Sequence, residues 1–176
     1  MTDHTQLLAN DTLALRALEP TDLDTLYRWE NDTSLWDASA TAAPYSRQAL
    51  WQYLQGAGDL YAQRQLRLVI ELLATYEAIG TVDFLNFDPL NNHAELGLMI
   101  APEHRARGLG EQAIGLIDDY ACRHLGLRQL YVIIASDNEA CLQAFQRMHY
   151  SLAGTLRSWV RRGTNYCDAV VMQKIF

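Results

Sequence analysis

The sequence predicts a mixed α/β domain whose elements follow the order βαα-βββ-αβα-ββ. Three short apolar or alternating runs in its middle are separated only by turn residues, which predicts an antiparallel meander. A helical pattern and a compact β-branched run follow, and this change of period predicts a strand–helix–strand crossover. Two more runs around a polar loop predict a C-terminal hairpin. The 176 residues suffice for one sizeable core, so we expect residues 1–176 to form a single domain.

The first part of the chain predicts one strand and two helices. Residues 13–18 alternate as a strand, and Thr21 is the expected N-cap of a helix, with Asp24 three positions later. Ser46 is the expected N-cap of a second helix, which we expect to end at Gly56. A polar connection that contains an aromatic side chain lies between the two helices.

The middle of the chain is rich in strands. The meander is expected at residues 66–73, 78–86 and 94–100, with turn residues between these runs. Gly97 interrupts the third run, and a lone glycine in a strand indicates either a bulge or a close backbone approach. Pro102 ends that strand.

The last part of the chain alternates helices and strands. Apolar side chains recur on one helical face of residues 110–125, and Asp137 and Asn138 are both placed to cap a later helix. We expect, in order, a helix at 110–125, a strand at 130–135, a helix at about 138–148, and hairpin strands at 152–160 and 166–175.

The composition excludes several classes of protein. Apolar residues make up 49% and charged residues 20%, which is typical of a globular chain. No apolar run approaches the roughly 18 residues of a membrane helix, and the first residues lack the basic-then-apolar pattern of a secretory signal. A net charge of −7 makes the chain a poor general binder of nucleic acid. We therefore expect a cytoplasmic protein with neither a membrane nor a nucleic-acid partner.

The cysteines favour a reducing compartment over a disulfide framework. Cys122, Cys141 and Cys167 are odd in number and far apart in the sequence. The sequence contains no CxxC or HxxxH pair, so we expect no metal site built by the protein.

Charge is divided unevenly along the chain. Residues 1–100 hold five arginines against 14 Asp and Glu, for −9, whereas residues 101–176 hold nine Arg and Lys against seven Asp and Glu, for +2. Such a split suits a cation at the acidic end and an anion at the basic end. A chance partition over a solvated surface explains it equally well.

The most chemically suggestive segment is a turn between the third meander strand and the next helix. It consists of Arg105-Ala106-Arg107-Gly108-Leu109-Gly110. The glycines let a ligand approach the backbone, and a helix N-terminus offers unpaired N–H groups at the positive end of its dipole. Arg105 and Arg107 add bidentate donors, so the turn predicts an anion site, most often for phosphate. The alternative is a plain loop with solvated arginines.

Two known phosphate motifs fit this turn poorly. A Walker A loop needs Lys and then Ser or Thr after its last glycine, where Glu111 and Gln112 stand. The dinucleotide fingerprint is matched by Gly108, Gly110 and Ala113, but its context differs. Several residues separate the turn from its strand, and a meander precedes that strand.

The motifs around the turn resemble those of the GNAT superfamily of acyl-CoA-dependent N-acetyltransferases. The central signature of that family, Arg/Gln-x-x-Gly-x-Gly/Ala, is matched by Arg105, Gly108 and Gly110. The next family motif, Asn-x-x-Ala/Ser followed by Tyr-x-Lys-x-Gly-Phe, is echoed between Asn138 and Tyr150. The resemblance implies a GNAT-type fold with a bulged strand, and acetyl-CoA as the co-substrate.

The opening of the chain is similar to one branch of the same family. Residues 15–19, Leu-Arg-Ala-Leu-Glu, are followed by Asp22 and Leu23 as in that branch. It holds bacterial spermidine/spermine acetyltransferases and ribosomal-protein N-terminal acetyltransferases. The resemblance extends over residues 13–171, and a homo-oligomer is compatible with it because dimers and larger rings are common in the family.

The resemblance also assigns residues to acetyl-CoA. In the family the pantetheine arm bonds along the bulged strand, backbone N–H groups of the turn hold the pyrophosphate, and the second motif lines the other side. The corresponding residues are Leu98, Met99, Ile100, Arg105, Ala106, Arg107, Gly108, Leu109, Gly110, Glu111, Asn138, Phe145 and Arg147. The amine is implied to attack the thioester carbonyl directly while a strand N–H stabilises the oxyanion.

The proton transfers are assigned less completely. Glu95, at the start of the bulged strand, is implied to be the base or a cation anchor, with an exposed strand carboxylate as the alternative. The tyrosine that protonates the departing CoA thiolate in the family is Phe145 here, which has no hydroxyl. Water, Tyr150 or Cys141 could replace it, although packing is the favoured role of Cys141. A thiol of pKa about 8.5 also leaves tolerably without a proton.

The acceptor is assigned through the acidic first half of the chain. Glu30, Asp32 and Asp37 lie where related enzymes place their acceptor loop, and Trp36 could cover an alkyl chain or an ammonium. We expect acetylation of a small primary amine, first of all a polyamine such as spermidine. The alternatives are acetylation of a protein N-terminus, and a CoA-binding regulatory module that lost catalysis with the tyrosine.

Overall fold

A computed structural model describes residues 7–39, 41–56 and 58–176, and the backbone alone for residues 37–39. Within these ranges the strands are β1 (Leu13–Ala17), β2 (Leu66–Leu72), β3 (Glu77–Asp88), β4 (His93–Ile100), β5 (Gln129–Ala135), β6 (Ser151–Arg162) and β7 (Asn165–Ile175). The helices are α1 (Leu23–Glu30), α2 (Thr33–Ser39), α3 (Arg47–Gly56), α4 (Leu60–Gln63), α5 (Leu109–Arg123) and α6 (Glu139–Arg147). The predicted mixed α/β class is confirmed.

The seven strands form one sheet in the order β1-β2-β3-β4-β5-β7-β6. β2, β3 and β4 pair antiparallel as the predicted meander, and β1 extends it at the edge. β4 and β5 are parallel neighbours connected through α5, which confirms the predicted crossover. β6 and β7 form the predicted hairpin, and β7 lies against β5.

The two faces of the sheet are covered by different helices. The predicted apolar stripe of α5 is confirmed, because Ala113, Ile114, Ile117 and Ala121 are fully buried in the main core. Burying one such isoleucine side chain is worth about 1.5–3 kcal/mol, so α5 is held firmly on its face. The other face carries α1 and α3, whose smaller cluster is centred on Trp29.

The helix starts agree with the sequence at two of three positions. The side chains of Ser46 and Asn138 accept backbone N–H bonds, as expected of N-caps. The prediction for Thr21 is wrong, because a short 3-10 turn precedes α1. The carboxylate of Asp22 accepts the N–H of Glu19 there, at 2.8 Å. Two short helices, α2 and α4, lie in segments for which the sequence predicts no element.

Gly97 marks a close approach rather than a bulge in its own strand. β4 stays in regular register with β3 around Gly97, and the shift in this pair lies in β3 between Leu85 and Asp88. A Cβ added at Gly97 would lie 3.3 Å from the Cβ of Asp83. The glycine therefore makes room for the neighbouring side chain, and the bulge belongs to the partner strand.

No helix in the described ranges is both long enough and apolar enough to cross a membrane.

Candidate active site

A gap opens in the sheet between β4 and β5. The two strands pair only over His93–Glu95 and Gln129–Tyr131, although β4 continues to Ile100 and β5 to Ala135. β4 remains paired with β3 as far as Ile100, so its other edge faces the gap, with no neighbouring strand from the part of the chain that the structure describes. Such an edge offers backbone donors and acceptors to an extended ligand. The half-buried Leu98, Met99 and Ile100 lie along it, as the resemblance implies.

The glycine-containing turn lies at the end of β4 and forms the start of α5. Gly108 is the N-cap with φ 73°, a left-handed conformation that favours glycine, and no side chain caps this helix end. Gln112 N–H is bonded to the Gly108 carbonyl at 3.2 Å, so the three preceding helical N–H groups lack partners in the helix. These N–H groups suit an anion at the positive end of the α5 dipole.

Two arginines are held near this turn. Arg105 is exposed, and its Nε donates to the Ile100 carbonyl at 2.9 Å. Arg147, at the end of α6, forms a salt bridge of 2.7 Å with Glu111 in the first turn of α5. The structure therefore brings both sequence motifs to one end of the gap, with α6 tied to α5.

The second motif contributes one polar and one apolar side chain. Asn138 Oδ1 accepts the N–H of Cys141 at 3.3 Å, which anchors the start of α6 beside the end of β5. Phe145 is fully buried, and its ring packs edge-on against the ring of Tyr150, with the two ring centroids 4.9 Å apart. The position of the family's tyrosine therefore belongs to the hydrophobic core in this chain.

Tyr150 is unsuited to replace the missing hydroxyl. It is buried, and its hydroxyl donates to Asp118 at 2.7 Å, while Lys174 donates to the other carboxylate oxygen at 2.8 Å. Burial, followed by the Asp118 charge, raises the pKa of Tyr150. The expectation that Tyr150 could serve as the acid is therefore wrong, since the proton is bound inside this buried network.

Cys141 is also a poor proton donor. Burial raises the pKa of its thiol to about 11. A CoA thiol has a pKa of about 8.5, so Cys141 is the weaker acid of the two. The side chain packs against the main core, in agreement with the favoured packing role.

Glu95 lies where the gap begins. It is the last β4 residue paired with β5, opposite Tyr131, and its side chain is half-buried. Its Oε2 accepts a hydrogen bond of 2.7 Å from the amide of Asn86 and one of 3.5 Å from the Tyr131 hydroxyl. Burial, and then the Glu95 charge, raises the pKa of Tyr131, so this hydroxyl stays protonated. Both donors are neutral groups, so no cation of the described residues is hydrogen-bonded to this carboxylate.

Sequence reasoning missed both partners of Glu95. Asn86 has φ 49° in the irregular part of β3, and asparagine is among the few residues that tolerate this conformation. This bulge turns the amide toward Glu95. The signal lies in the fold of two strands together rather than in any one motif.

A buried ion cluster lies on the face of the sheet that carries α1 and α3. Arg67 Nε donates to Asp83 Oδ1 at 2.6 Å and its Nη2 to Oδ2 at 3.3 Å, while Nη1 donates to Glu30 Oε1 at 2.6 Å. Desolvation lowers the pKa of Arg67, but the charges of Asp83 and Glu30 outweigh it, and the pKa is raised. Desolvation raises the pKa of Asp83, and Arg67 opposes that shift.

The other predicted acceptor residues have local roles. The indole N–H of Trp36 donates to the Glu30 carbonyl at 2.9 Å, which holds α2 against the end of α1. Asp32 accepts the N–H of Ser34 at 2.9 Å, and its hydrogen bonds with Ser34 lower its pKa. The side chain of Asp37 lies outside the described residues. The sequence did not reveal Arg67 or Asp83, because their pairing depends on strand register.

Comparison with known proteins decides the family. Residues 12–151 match the acetyltransferase (GNAT) domain model. The chain belongs to the GNAT acetyltransferase family. It is an acetyl-CoA-dependent N-acetyltransferase, and its free helical N–H groups, Arg105 and open β4 edge fit that coenzyme.

Relatives of known activity cover most of the chain. The spermidine N(1)-acetyltransferase of Escherichia coli strain K12 is 27% identical over 166 residues, 92% of this chain and 84% of that protein. The ribosomal-protein-serine acetyltransferase of the same strain is 24% identical over 151 residues, 84% of each protein.

Solved structures agree with the fold. The spermidine N-acetyltransferase of Vibrio cholerae in complex with CoA and spermine has a TM-score of 0.84 and 25% identity, covering 94% of this chain and 96% of that one. A dodecameric structure of the Vibrio cholerae enzyme has a TM-score of 0.79 and 26% identity, covering 94% and 95%.

Proposed function

We propose that this N-acetyltransferase transfers the acetyl group to a primary amine, first of all a polyamine such as spermidine, by direct attack in a ternary complex. The observation that carries this proposal is the position of the Glu95 carboxylate. Its carboxylate, which accepts hydrogen bonds from Asn86 and Tyr131, lies at the mouth of the gap between β4 and β5. Glu95 accepts the proton of the incoming ammonium, directly or through water, or holds that ammonium in place.

The donor side holds the coenzyme through backbone groups. N–H groups at the start of α5 take the pyrophosphate, with Arg105 beside them, and the open edge of β4 takes the pantetheine arm. Asn138 lines the α6 side of the gap. When bound, acetyl-CoA supplies the activated acetyl group, and a β4 N–H next to the gap stabilises charge on its carbonyl oxygen.

The departing thiolate needs no side-chain acid in this proposal. Phe145 has no proton to give, Tyr150 is engaged with Asp118, and Cys141 is a weaker acid than the CoA thiol. Water supplies the proton, because a thiolate is a tolerable leaving group at neutral pH.

An acceptor panel tests the proposal and separates its alternatives. Purified protein with acetyl-CoA is given spermidine, a panel of N-terminal peptides, or no acceptor, and thiol release is followed. Turnover with spermidine supports the polyamine assignment. Turnover with peptides alone overturns it in favour of protein N-terminal acetylation. CoA binding without turnover on any acceptor overturns it in favour of the regulatory module.

We also propose that the protein forms a homo-oligomer in the cytoplasm. β6 is an edge strand, and the hairpin exposes large apolar side chains at Leu152, Trp159 and Tyr166. Exposed apolar groups on an edge strand are typical of surfaces that another chain covers. Light scattering on the purified chain tests this, and a monomeric mass at micromolar concentration would exclude it.

A further inference from the structure

A largely enclosed ion cluster, within the described residues, consists of Glu30, Arg67 and Asp83. One guanidinium holds both carboxylates, with a two-pronged contact to Asp83 and a single contact to Glu30. The side chains are only 18%, 23% and 12% exposed, respectively, and the ring of Tyr53 lies 5.8 Å from the guanidinium carbon. In such surroundings charges interact much more strongly than they do in water.

The cluster adjoins the proposed acceptor carboxylate. Leu85 is paired with Glu95, and Asp83 is paired with Gly97, so Asp83 and Glu95 are diagonal neighbours on adjacent strands. Diagonal neighbours on one face of an antiparallel pair lie about 7–8 Å apart. Two ammonium groups joined by a short alkyl chain span such a distance. Gly97 has no side chain, and the space that its Cβ would take is bordered by the side chains of Asp83 and Leu85.

The two carboxylates differ in the groups that donate hydrogen bonds to them. Glu95 receives hydrogen bonds from an amide and a phenol, which carry no charge. Asp83 receives both of its contacts from Arg67, which stays charged at every accessible pH. A second cation would therefore bind well at Glu95, whereas at Asp83 it would meet a guanidinium already in place.

We propose that Arg67 is a specificity-determining residue: it serves as an internal cation on Glu30 and Asp83, so that the acceptor site binds one ammonium, at Glu95, and not a second beside it. This inference rests on the proposed amine acetylation. It predicts that the second ammonium of a diamine adds little to kcat/KM, compared with a monoamine of equal length, through contacts in this part of the site. The other nitrogen atoms of a longer acceptor lie outside the cluster.

The test compares putrescine with n-butylamine as acceptors. Arg67→Met frees Asp83 and Glu30, so we expect the ratio of kcat/KM for putrescine to that for n-butylamine to rise at least about tenfold. Arg67→Lys keeps the charge and should leave the ratio within about twofold of the wild type. If Arg67→Met fails to fold, Arg67→Gln carries the same test, because its amide still donates to Asp83. A ratio that stays unchanged in the folded variant overturns the proposal, since a merely structural role would lower both values together.

A double variant and a binding measurement complete the test. Arg67→Met/Asp83→Asn removes one of the two freed charges and should lower the ratio from that of Arg67→Met toward the wild-type value; a ratio equal to that of Arg67→Met would overturn the role of Asp83. Calorimetry then measures putrescine binding to the wild type and to Arg67→Met, with CoA present. If no protein turns over either amine, turnover of spermidine by the wild type decides the proposed function separately. Tighter putrescine binding by Arg67→Met would still support the inference, and equal binding would overturn it.

Discussion

The proposed donor side and the proposed acceptor side of the site are built from different chemical groups. The donor side consists mainly of backbone groups, namely the N–H groups at the start of α5 and the open edge of β4. The acceptor side consists of side-chain charges from several strands and helices, with Glu30, Arg67, Asp83 and Glu95 at its centre. A backbone site needs one local conformation, whereas a side-chain site needs several elements in register.

This difference explains how each side tolerates change. Every residue other than proline carries a backbone N–H and a C=O whatever its side chain is, so most substitutions leave a backbone site in place. The acceptor side can be altered by one side chain, because Arg67 alone decides how two carboxylates are used. We therefore expect substitutions on the donor side to abolish activity. We expect substitutions on the acceptor side to change which amine is acetylated.

Breaking the donor side should give the largest effect. Gly108→Val places a β-branched residue at φ 73°, where such residues are rare, and disturbs the start of α5. We expect calorimetry to show a loss of acetyl-CoA affinity of at least about 100-fold. Gly163→Val is the matched control, because Gly163 has φ 62° in the hairpin turn and lies outside the motif. Unchanged CoA affinity in Gly108→Val would refute the anion site.

Breaking the proton acceptor should give the next largest effect. Glu95→Gln keeps the shape and the contact with Asn86 but can neither take a proton nor attract an ammonium. We expect kcat/KM for the amine to fall about 100-fold, with acetyl-CoA affinity within about twofold of the wild type. Glu103→Gln, an exposed position in the turn after β4, serves as the control. If Glu95→Gln keeps both its rate and its amine affinity, the exposed-carboxylate alternative is correct.

The sequence predicted the donor side better than the acceptor side, and the reason is physical. The turn from Arg105 to Gly110 is one contiguous segment, so its spacing alone indicates a backbone anion site. The pairing of Arg67 with Asp83 depends on the register of β2 and β3, and that of Asn86 with Glu95 depends on a bulge in β3. Neither register nor bulge can be derived from one strand at a time.

The start of α1 shows the same limit on a smaller scale. Thr21 fits the local N-cap pattern, but Asp22 stands at the N-cap position of α1, and its carboxylate accepts from Glu19 N–H and, at 2.8 and 2.9 Å, from Arg16 on β1 instead of capping the helix. A contact between β1 and the helix entry thus overrides the local preference. Sequence patterns predict elements well, and contacts between elements decide which residue acts at each end.

The acceptor-side cluster should also contribute to stability, with a smaller effect. Asp83→Asn leaves Arg67 with one charged partner in a mostly buried position. We expect the free energy of unfolding, measured by denaturant titration, to fall by about 2 kcal/mol. Asp24→Asn is the control, because Asp24 pairs with Arg47 at an exposed position and its loss should lower the free energy of unfolding much less. An equal fall in the free energy of unfolding of the two variants would show that burial of the cluster adds nothing to stability.

Restoring a hydroxyl at the family's tyrosine position should have the smallest effect. Phe145→Tyr adds the group, but residue 145 is fully buried against Tyr150, and the thiolate leaves without help. We expect kcat at neutral pH to change less than about threefold, with Phe145→Leu as the packing control. A gain above about tenfold that vanishes above pH 8.5 would show that protonation of the thiolate limits turnover. Departure of the CoA thiolate would then depend on a side chain, as binding of the amine does. The contrast between a backbone donor side and a side-chain acceptor side would not hold for that step.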